Sequence, residues 1–119
     1  MPRQPGESEV FLRFLSLVEA IRGLPTFPAL DAVEERVFHA LAAAWGQGRS
    51  VTVMDAMRLL PEISPSTAHR RLKELRAKGL IQMREDGGDG RLRLVRPTQA
   101  ARAYFSKLGR CIGTAASGE

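Results

Sequence analysis

The sequence predicts a mainly α-helical fold with one small β-hairpin and extra helices at both ends of the chain. Three observations support this fold class. Apolar residues recur at the three- and four-residue spacing of an amphipathic helix in several separate segments. Helix-capping residues stand immediately before most of these segments. A glycine-rich stretch at residues 86–90 lies between two short runs in which apolar and charged residues alternate, as in a hairpin.

The helix predicted at residues 64–79 has the clearest boundaries. The hydroxyl of Ser64 can accept a backbone N–H of the first turn, and Pro65 occupies the first helical position, where a missing N–H costs nothing. Gly79 stands where a left-handed residue commonly ends a helix. Three apolar residues share one face of this helix: Ala68, Leu72 and Leu75.

The opposite face of the same helix is polar and basic. At 100° per residue, Ser66, Arg70 and Lys73 point away from the apolar face. Thr67 and His69 lie on the two flanks. The helix is therefore expected to present polar side chains near its N-terminal half, which is the part of a recognition helix that reaches base edges in DNA.

A hairpin is predicted directly after that helix, with residues 84–93 as its protruding wing. The glycines at 87, 88 and 90 suit the positive φ angles of a tight connection. Arg84, Arg91 and Arg93 are in phase at period two, so we predict that they share the solvent face. An arginine at a hairpin tip suits a narrow minor groove or a phosphate.

The first predicted helix is unusually apolar. Ser8 is its predicted N-cap, it ends near Arg22, and two prolines within residues 23–28 prevent its continuation. Its apolar stripe contains Val10, Phe11, Phe14, Leu15, Val18 and Ile21. This stripe either covers the core or meets another subunit.

The second predicted helix opens with a capping box, in which Asp31 and Glu34 satisfy each other's backbone N–H groups. It is predicted to run to about Trp45, the only tryptophan, which we expect to act as a structural plug at the helix end. Residues 49–51 are interpreted as a short strand beside the hairpin.

A second capping box, Thr52 with Asp55, opens a short helix that is predicted to end at Leu60. Residues 61–63 form the turn into the helix at 64–79. Two helices joined by a tight turn and followed by a hairpin form a winged helix-turn-helix.

After the hairpin, Thr98 is predicted to cap a final helix that runs to about Arg110, with residues 113–119 as a frayed tail. Its apolar side contains Ala101, Tyr104, Phe105, Leu108 and Ile112. The predicted organisation is an N-terminal tail and helix at 1–29, a winged helix-turn-helix at 30–97, and a C-terminal helix with its tail at 98–119.

The positive charge is concentrated on the helix and hairpin. Residues 64–96 contain nine Lys and Arg against four Asp and Glu, which equals the whole chain's net charge of +5. This distribution is typical of a nucleic-acid footprint, although a solvated charged face is the commoner role of basic residues. A single cysteine, Cys111, fits a reducing compartment, and the sequence shows neither an apolar run of membrane-spanning length nor a signal-peptide core, so we expect a cytoplasmic protein.

Enzyme motifs are absent from the sequence, and we predict no catalytic residue, metal or cofactor. It contains no nucleophile elbow, phosphate-binding loop or H-E-x-x-H pattern. The histidines, His39 and His69, are thirty residues apart, without carboxylates or cysteines arranged around them as a metal-ligand set. His39 is expected at the surface or its boundary, and His69 on the DNA-facing side.

Three short motifs lie within residues 30–105: S-x-S-T at 64–67, L-x-x-L-x-x-K-G-L at 72–80 and the wing motif D-x-R at 89–91. With these motifs, residues 30–105 resemble the MarR-type winged-helix regulators of bacteria. Gly90 replaces a basic residue common in that motif, and Pro97 replaces a leucine. By position, the resemblance implies that residues in or beside the major groove are Ser66, Thr67, His69, Arg70 and Arg71.

The resemblance also implies that Asp89 braces the wing and that Arg91 enters the minor groove. It further implies a homodimer and a small-molecule inducer. Because the C-terminal part is shorter than in family members, we expect dimerisation mainly through the first and last helices. The residues predicted for this contact are Phe11, Phe14, Leu15, Val18, Tyr104, Phe105 and Leu108.

The leading hypothesis is a sequence-specific, homodimeric regulator of transcription that binds double-stranded DNA. The predicted DNA-binding residues are Ser64, Ser66, Thr67, His69, Arg70, Arg71, Lys73, Arg84, Arg91 and Arg93. One alternative is a winged-helix module for protein–protein interaction, which the polar, basic outer face of the helix disfavours. The other is a DNA-binding protein associated with plasmid or phage replication.

Overall fold

The computed structural model of the protein describes residues 5–24, 27–86 and 89–118, and at residues 86 and 89–92 it describes the backbone alone. The elements in chain order are α1 (Glu7–Arg22), α2 (Ala32–Gly46), β1 (Val51–Thr52), α3 (Val53–Met57), α4 (Pro65–Ala77), β2 (Ile81–Asp86), β3 (Asp89–Pro97) and α5 (Gln99–Ser117). The predicted fold class is confirmed. Within the described ranges, none of the helices combines the length and apolar content needed to cross a bilayer.

Contacts within the chain group it into two compact units. The first, here called the terminal unit, consists of Met1–Ala29 and Arg102–Glu119. The second, called the winged-helix unit, consists of Leu30–Ala101 and contains the sheet with α2, α3 and α4.

Both predicted capping boxes are confirmed in the winged-helix unit. The Asp31 carboxylate accepts the Glu34 N–H at 2.7 Å, and the Glu34 carboxylate accepts the Asp31 N–H at 2.9 Å. Thr52 and Asp55 make the equivalent pair of bonds at the start of α3. However, α3 ends at Met57 rather than Leu60, because the next N–H groups bond to carbonyls three residues back and tighten the chain into a turn.

The sheet is antiparallel, with strand order β1-β3-β2. The predicted short strand at 49–51 is shifted, since β1 comprises Val51 and Thr52 and pairs with β3 through Val51 and Val95. The indole N–H of Trp45 donates to the Val95 carbonyl at 3.1 Å, which fastens the end of α2 to the central strand. Trp45 therefore has the structural role predicted for it.

The core of the winged-helix unit forms where α2 and α4 pack with the sheet. Its largest fully buried side chains are Phe38, Leu41, Val51, Leu72, Leu75, Leu80, Ile81 and Val95. The apolar face predicted for α4 is confirmed, since Ala68, Leu72 and Leu75 are all buried. On α2, Val37, Phe38, Leu41 and Ala44 are buried, and Val33 is half-buried.

The two helices of the terminal unit differ from prediction at their ends. Ser8 is not the N-cap of α1, because the Gly6 carbonyl already accepts the Val10 N–H at 3.0 Å and the helix begins at Glu7. Likewise, α5 continues to Ser117, so that the predicted frayed tail is helical through most of its length. Burial of Cys111 and Ala115 extends the apolar side of α5 past Arg110.

Candidate nucleic-acid interface

The N-terminus of α4 is held by a cluster of hydroxyl groups. The Ser64 side chain accepts the Thr67 N–H at 3.2 Å and donates to the Thr67 hydroxyl at 2.9 Å. Ser66 Oγ lies 3.4 Å from Ser64 Oγ. Ser64 and Ser66 are exposed, so the first turn of α4 presents hydroxyl groups to solvent.

The outward face of α4 has the predicted composition. Ser66, Arg70 and Lys73 are exposed, and His69 and Thr67 on the flanks are half-buried. The face therefore carries hydroxyl, imidazole, guanidinium and ammonium groups without a large apolar side chain. These groups can donate to phosphate oxygens and to the acceptor atoms of base edges.

Arg71 lies on the flank of α4 that faces α2. Its Nη1 donates to Asp31 Oδ2 and to Glu74 Oε2, both at 2.9 Å. The hydrogen bond to Glu74 is the main reason that the pKa of Arg71 lies above its ordinary value. The Asp31 carboxyl has a pKa below its ordinary value, first because it accepts the Glu34 N–H and also because it lies beside Arg71. Arg71 thus joins α4 to the start of α2.

A second ion pair joins α4 to α2. The Glu34 side chain is almost fully buried, and Lys78 Nζ donates to its two carboxylate oxygens at 2.7 and 2.8 Å. Lys78 is the C-cap residue of α4, directly before Gly79, which has the predicted positive φ of 79°. Glu34 was predicted only as a capping residue, but it shares a helix face with the buried Val37 and Leu41, and a charged residue on an apolar stripe is a signal for an ion pair.

Three carboxylates of this region, Asp31, Glu34 and Glu74, have oxygens within 4.8 Å of one another and could hold a metal ion by distance alone. Each of them already accepts hydrogen bonds from Arg71 or Lys78. The cluster is explained by these ion pairs, which fix two points of α4 seven residues apart against α2.

The arginines of the hairpin do not share one face. Arg84 pairs in register with Leu94, whereas Arg93 pairs with Glu85, and residues opposite each other in an antiparallel pair lie on the same face. Arg84 and Arg93 are both exposed, but on opposite faces of the hairpin. The prediction of a shared face was wrong because it depended on the strand register, and a shift of one residue in register moves a side chain to the other face. The side chains of Asp89 and Arg91 lie outside the described residues.

Apolar side chains are exposed on α1. The exposed fractions are 58% for Phe11, 61% for Leu12 and 42% for Leu15, while Phe14 and Val18 are half-buried. Leu12 is not part of the apolar stripe predicted for this helix, which includes the neighbouring Phe11 and Phe14.

On α5, Phe105 and Leu108 are half-buried, but Tyr104 is buried in the terminal unit and stacks on Phe27 with ring centroids 4.2 Å apart. Ile112, predicted on the apolar side of α5, is instead 56% exposed. An open apolar groove of about 260 Å³ runs between Phe11, Phe14 and Ile112.

Comparison with known proteins finds similar folds among the solved structures. No protein-family model matches the chain, and no curated protein matches it in sequence. The transcriptional regulator Tm0710 from Thermotoga maritima is similar in structure, with a TM-score of 0.59, 16% identity and coverage of 88% of this chain. The chain spans 66% of the length of that protein.

MarR from E. coli in its apo form is also similar, with a TM-score of 0.54, 19% identity, and coverage of 92% of this chain and 72% of MarR. The fold is that of the MarR-type winged-helix regulators. BpsR from Bordetella bronchiseptica gives a TM-score of 0.52, 21% identity, and coverage of 97% of this chain and 81% of its own. At these sequence identities, the structural similarity establishes the fold, whereas the function of the site depends on its own residues.

Proposed function

We propose that the protein is a transcriptional regulator that binds double-stranded DNA in a sequence-specific manner as a homodimer. In this proposal, α4 lies in the major groove and the hairpin lies on the minor groove or the backbone. The winged-helix fold supports the docking mode, because this fold presents a helix and a hairpin on one side.

The observation that carries the proposal is the outer face of α4. Three apolar residues of the helix are buried, and the exposed side chains of its N-terminal half are polar or basic. A protein-docking surface is expected to be aromatic or apolar at its centre, and this face is neither. Its polar and basic groups are instead suited to donate hydrogen bonds to phosphates and base edges.

The described residues divide into three roles. Ser66, His69 and Arg70 are proposed to contact base edges, because they occupy the outward N-terminal half of α4. Residues proposed to contact the sugar–phosphate backbone are Ser64, Thr67, Lys73, Arg84 and Arg93. Arg71 is proposed to orient α4 through its ion pairs, since its guanidinium already has two carboxylate partners. Asp89 and Arg91 keep the roles implied by resemblance, as wing brace and minor-groove arginine.

The dimer is proposed to form through the terminal unit. Phe11, Leu12 and Leu15 form an exposed apolar surface on one helix, and burial of such a surface is the main driving force for subunit association. Phe14 and Ile112 line the groove beside it, which side chains of a second subunit would fill. Tyr104 supports this unit from its interior. A two-fold dimer would bind a palindrome with half-sites roughly 34 Å apart.

A small-molecule inducer is a further part of the proposal. It is supported by one structural neighbour, the Bordetella protein BpsR, whose DNA binding is regulated by 6-hydroxynicotinic acid. That acid is a suitable first probe, and release of the protein from a selected DNA site upon its addition would identify a ligand of this class.

Selection from random-sequence duplex DNA, at two salt concentrations, tests the proposal. The expected result is a palindromic consensus and an affinity that falls steeply with salt. Replacing Arg70 with alanine should relax one position in each half-site, because a bidentate arginine–guanine contact contributes roughly 1–3 kcal/mol of discrimination. Arg102→Ala, which removes an exposed arginine of α5, is the matched control and should leave the consensus unchanged. Absence of both enrichment and salt-dependent binding would refute the proposal and favour a protein partner.

A further inference from the structure

Two arginines from different elements of the winged-helix unit meet at one methionine. Arg76 Nη1 lies 3.8 Å from Met83 Sδ, and Arg93 Nη2 lies 3.9 Å from the same sulfur. Arg76 belongs to the last turn of α4, Met83 to β2 and Arg93 to β3. Because both nitrogens lie beside one sulfur atom, they are at most 7.7 Å apart.

From this geometry we propose that Arg76 and Arg93 form a two-arginine clamp that binds a single phosphate of the DNA backbone. The inference rests on the proposed DNA-binding function and adds a binding site to it. Met83 is the positioning residue of the clamp, because its thioether accepts weak hydrogen bonds from the two guanidinium groups without neutralising their charge.

The position of the clamp suits a phosphate. Arg76 lies seven residues after His69 and therefore on the same flank of α4, opposite the flank on which Arg71 contacts α2. Arg93 comes from the hairpin beside that flank. When a helix lies in the major groove and a hairpin in the adjacent minor groove, one sugar–phosphate backbone must pass between them. The two guanidinium groups lie at this junction.

Distance and charge are also suitable. Two charge-assisted hydrogen bonds of about 2.8 Å each, with the phosphate between them, span the separation of the two guanidinium nitrogens. Both arginines are exposed, so they can reach a phosphate. Glu85 is the cross-strand partner of Arg93. Among the side chains that the structure describes, neither Arg76 nor Arg93 forms an ion pair within 4.0 Å, so no described carboxylate neutralises the charge of the clamp.

The salt dependence of binding to a duplex of arbitrary sequence tests the clamp without requiring knowledge of the operator. Each neutralised phosphate contributes about −0.9 to the slope of log affinity against log salt concentration. The variants are Arg76→Gln, Arg93→Gln and the double variant, with Arg102→Gln as control. Fluorescence anisotropy of the full-length chain measures binding, and thermal melting by circular dichroism confirms that each variant is folded.

If the two arginines share one phosphate, each single variant should bind about fivefold more weakly with a nearly unchanged slope, because the remaining arginine still neutralises that phosphate. The double variant should reduce the magnitude of the slope by about 0.9 per bound subunit. If instead each single variant reduces the magnitude of the slope by about 0.9, and the double variant reduces it by twice as much, the arginines contact separate phosphates and the clamp is overturned.

The controls separate the clamp from the function on which it rests. If the wild-type protein binds DNA and the double variant binds it with the same affinity and the same salt slope, the clamp alone is refuted. If the wild-type protein shows no salt-dependent DNA binding, the proposed function and the clamp are both refuted. Arg102→Gln should match wild type, and a loss equal to that of Arg76→Gln would show a general charge effect and would also overturn the clamp.

Discussion

Replacing Lys78 with methionine should destabilise the protein by about 3 kcal/mol, because it leaves the Glu34 carboxylate buried without its cation. Glu34 is only 2% exposed, and Lys78 Nζ contacts both of its oxygens at 2.7 and 2.8 Å. Removing one partner of a buried ion pair costs about 3–5 kcal/mol. We take the lower end because the Lys78 side chain is 32% exposed and the Asp31 N–H still donates to the Glu34 carboxylate.

Urea denaturation at pH 7, followed by circular dichroism, measures this effect. The matching variants are Glu34→Gln and the double variant Glu34→Gln/Lys78→Met. The neutral amide of the double variant can still accept the Asp31 N–H, so its stability should return to within about 1 kcal/mol of wild type. In a thermal melt, Lys78→Met alone should lower Tm by about 10 °C for a domain of this size.

The reasoning would be refuted if Lys78→Met cost less than about 1 kcal/mol. It would also be refuted if the two single losses simply added in the double variant, since additive losses mean that the two side chains do not interact.

Two further predictions concern the subunit contact and the response to acid. Phe11→Glu should convert the dimer to a folded monomer in analytical ultracentrifugation, and a dimeric Phe11→Glu protein would contradict the proposed interface. The control Ala20→Glu, at an exposed position on the opposite face of the same helix, should remain dimeric. The pKa of Asp55 is lowered mainly by the Thr52 N–H, and that of Asp31 by the Glu34 N–H. The stability from these bonds is therefore complete above the ordinary aspartate pKa and is lost as the pH falls below about 4. Urea midpoints measured from neutral pH to pH 2.5 should fall less steeply for Asp55→Asn than for wild type, and identical profiles would argue against the contribution of this cap.

Local chemistry explains why much of the winged-helix unit could be predicted. The starts of α2, α3 and α4 depend on hydrogen bonds between residues three positions apart, as at Asp31, Thr52 and Ser64. The buried face of α4 follows from helical periodicity, which the sequence shows directly. The exposed residues of the candidate site, such as Arg70 and Lys73, were predictable for the same reason, because they lie opposite that face.

The site residues that escaped prediction depend on partners distant in sequence. Glu34 and Lys78 are 44 residues apart, and only the packing of α2 against α4 brings them together. Arg71 was predicted to lie in or beside the major groove, but its guanidinium contacts Asp31, 40 residues earlier in the chain. Periodicity gives the direction of a side chain from its own helix and does not identify the element that lies there.

The sequence by itself therefore determined the order of the elements, the starts of three helices, the left-handed end of α4 at Gly79, and the location of the basic charge. These features depend on hydrogen bonds and steric preferences within a few residues. The tertiary structure decided the register that puts Arg84 and Arg93 on opposite faces, the meeting of Arg76 with Arg93 at Met83, and the continuation of α5 to Ser117. Each of these depends on which distant segment provides a hydrogen-bond partner or covers an apolar side chain, and the whole fold sets that choice.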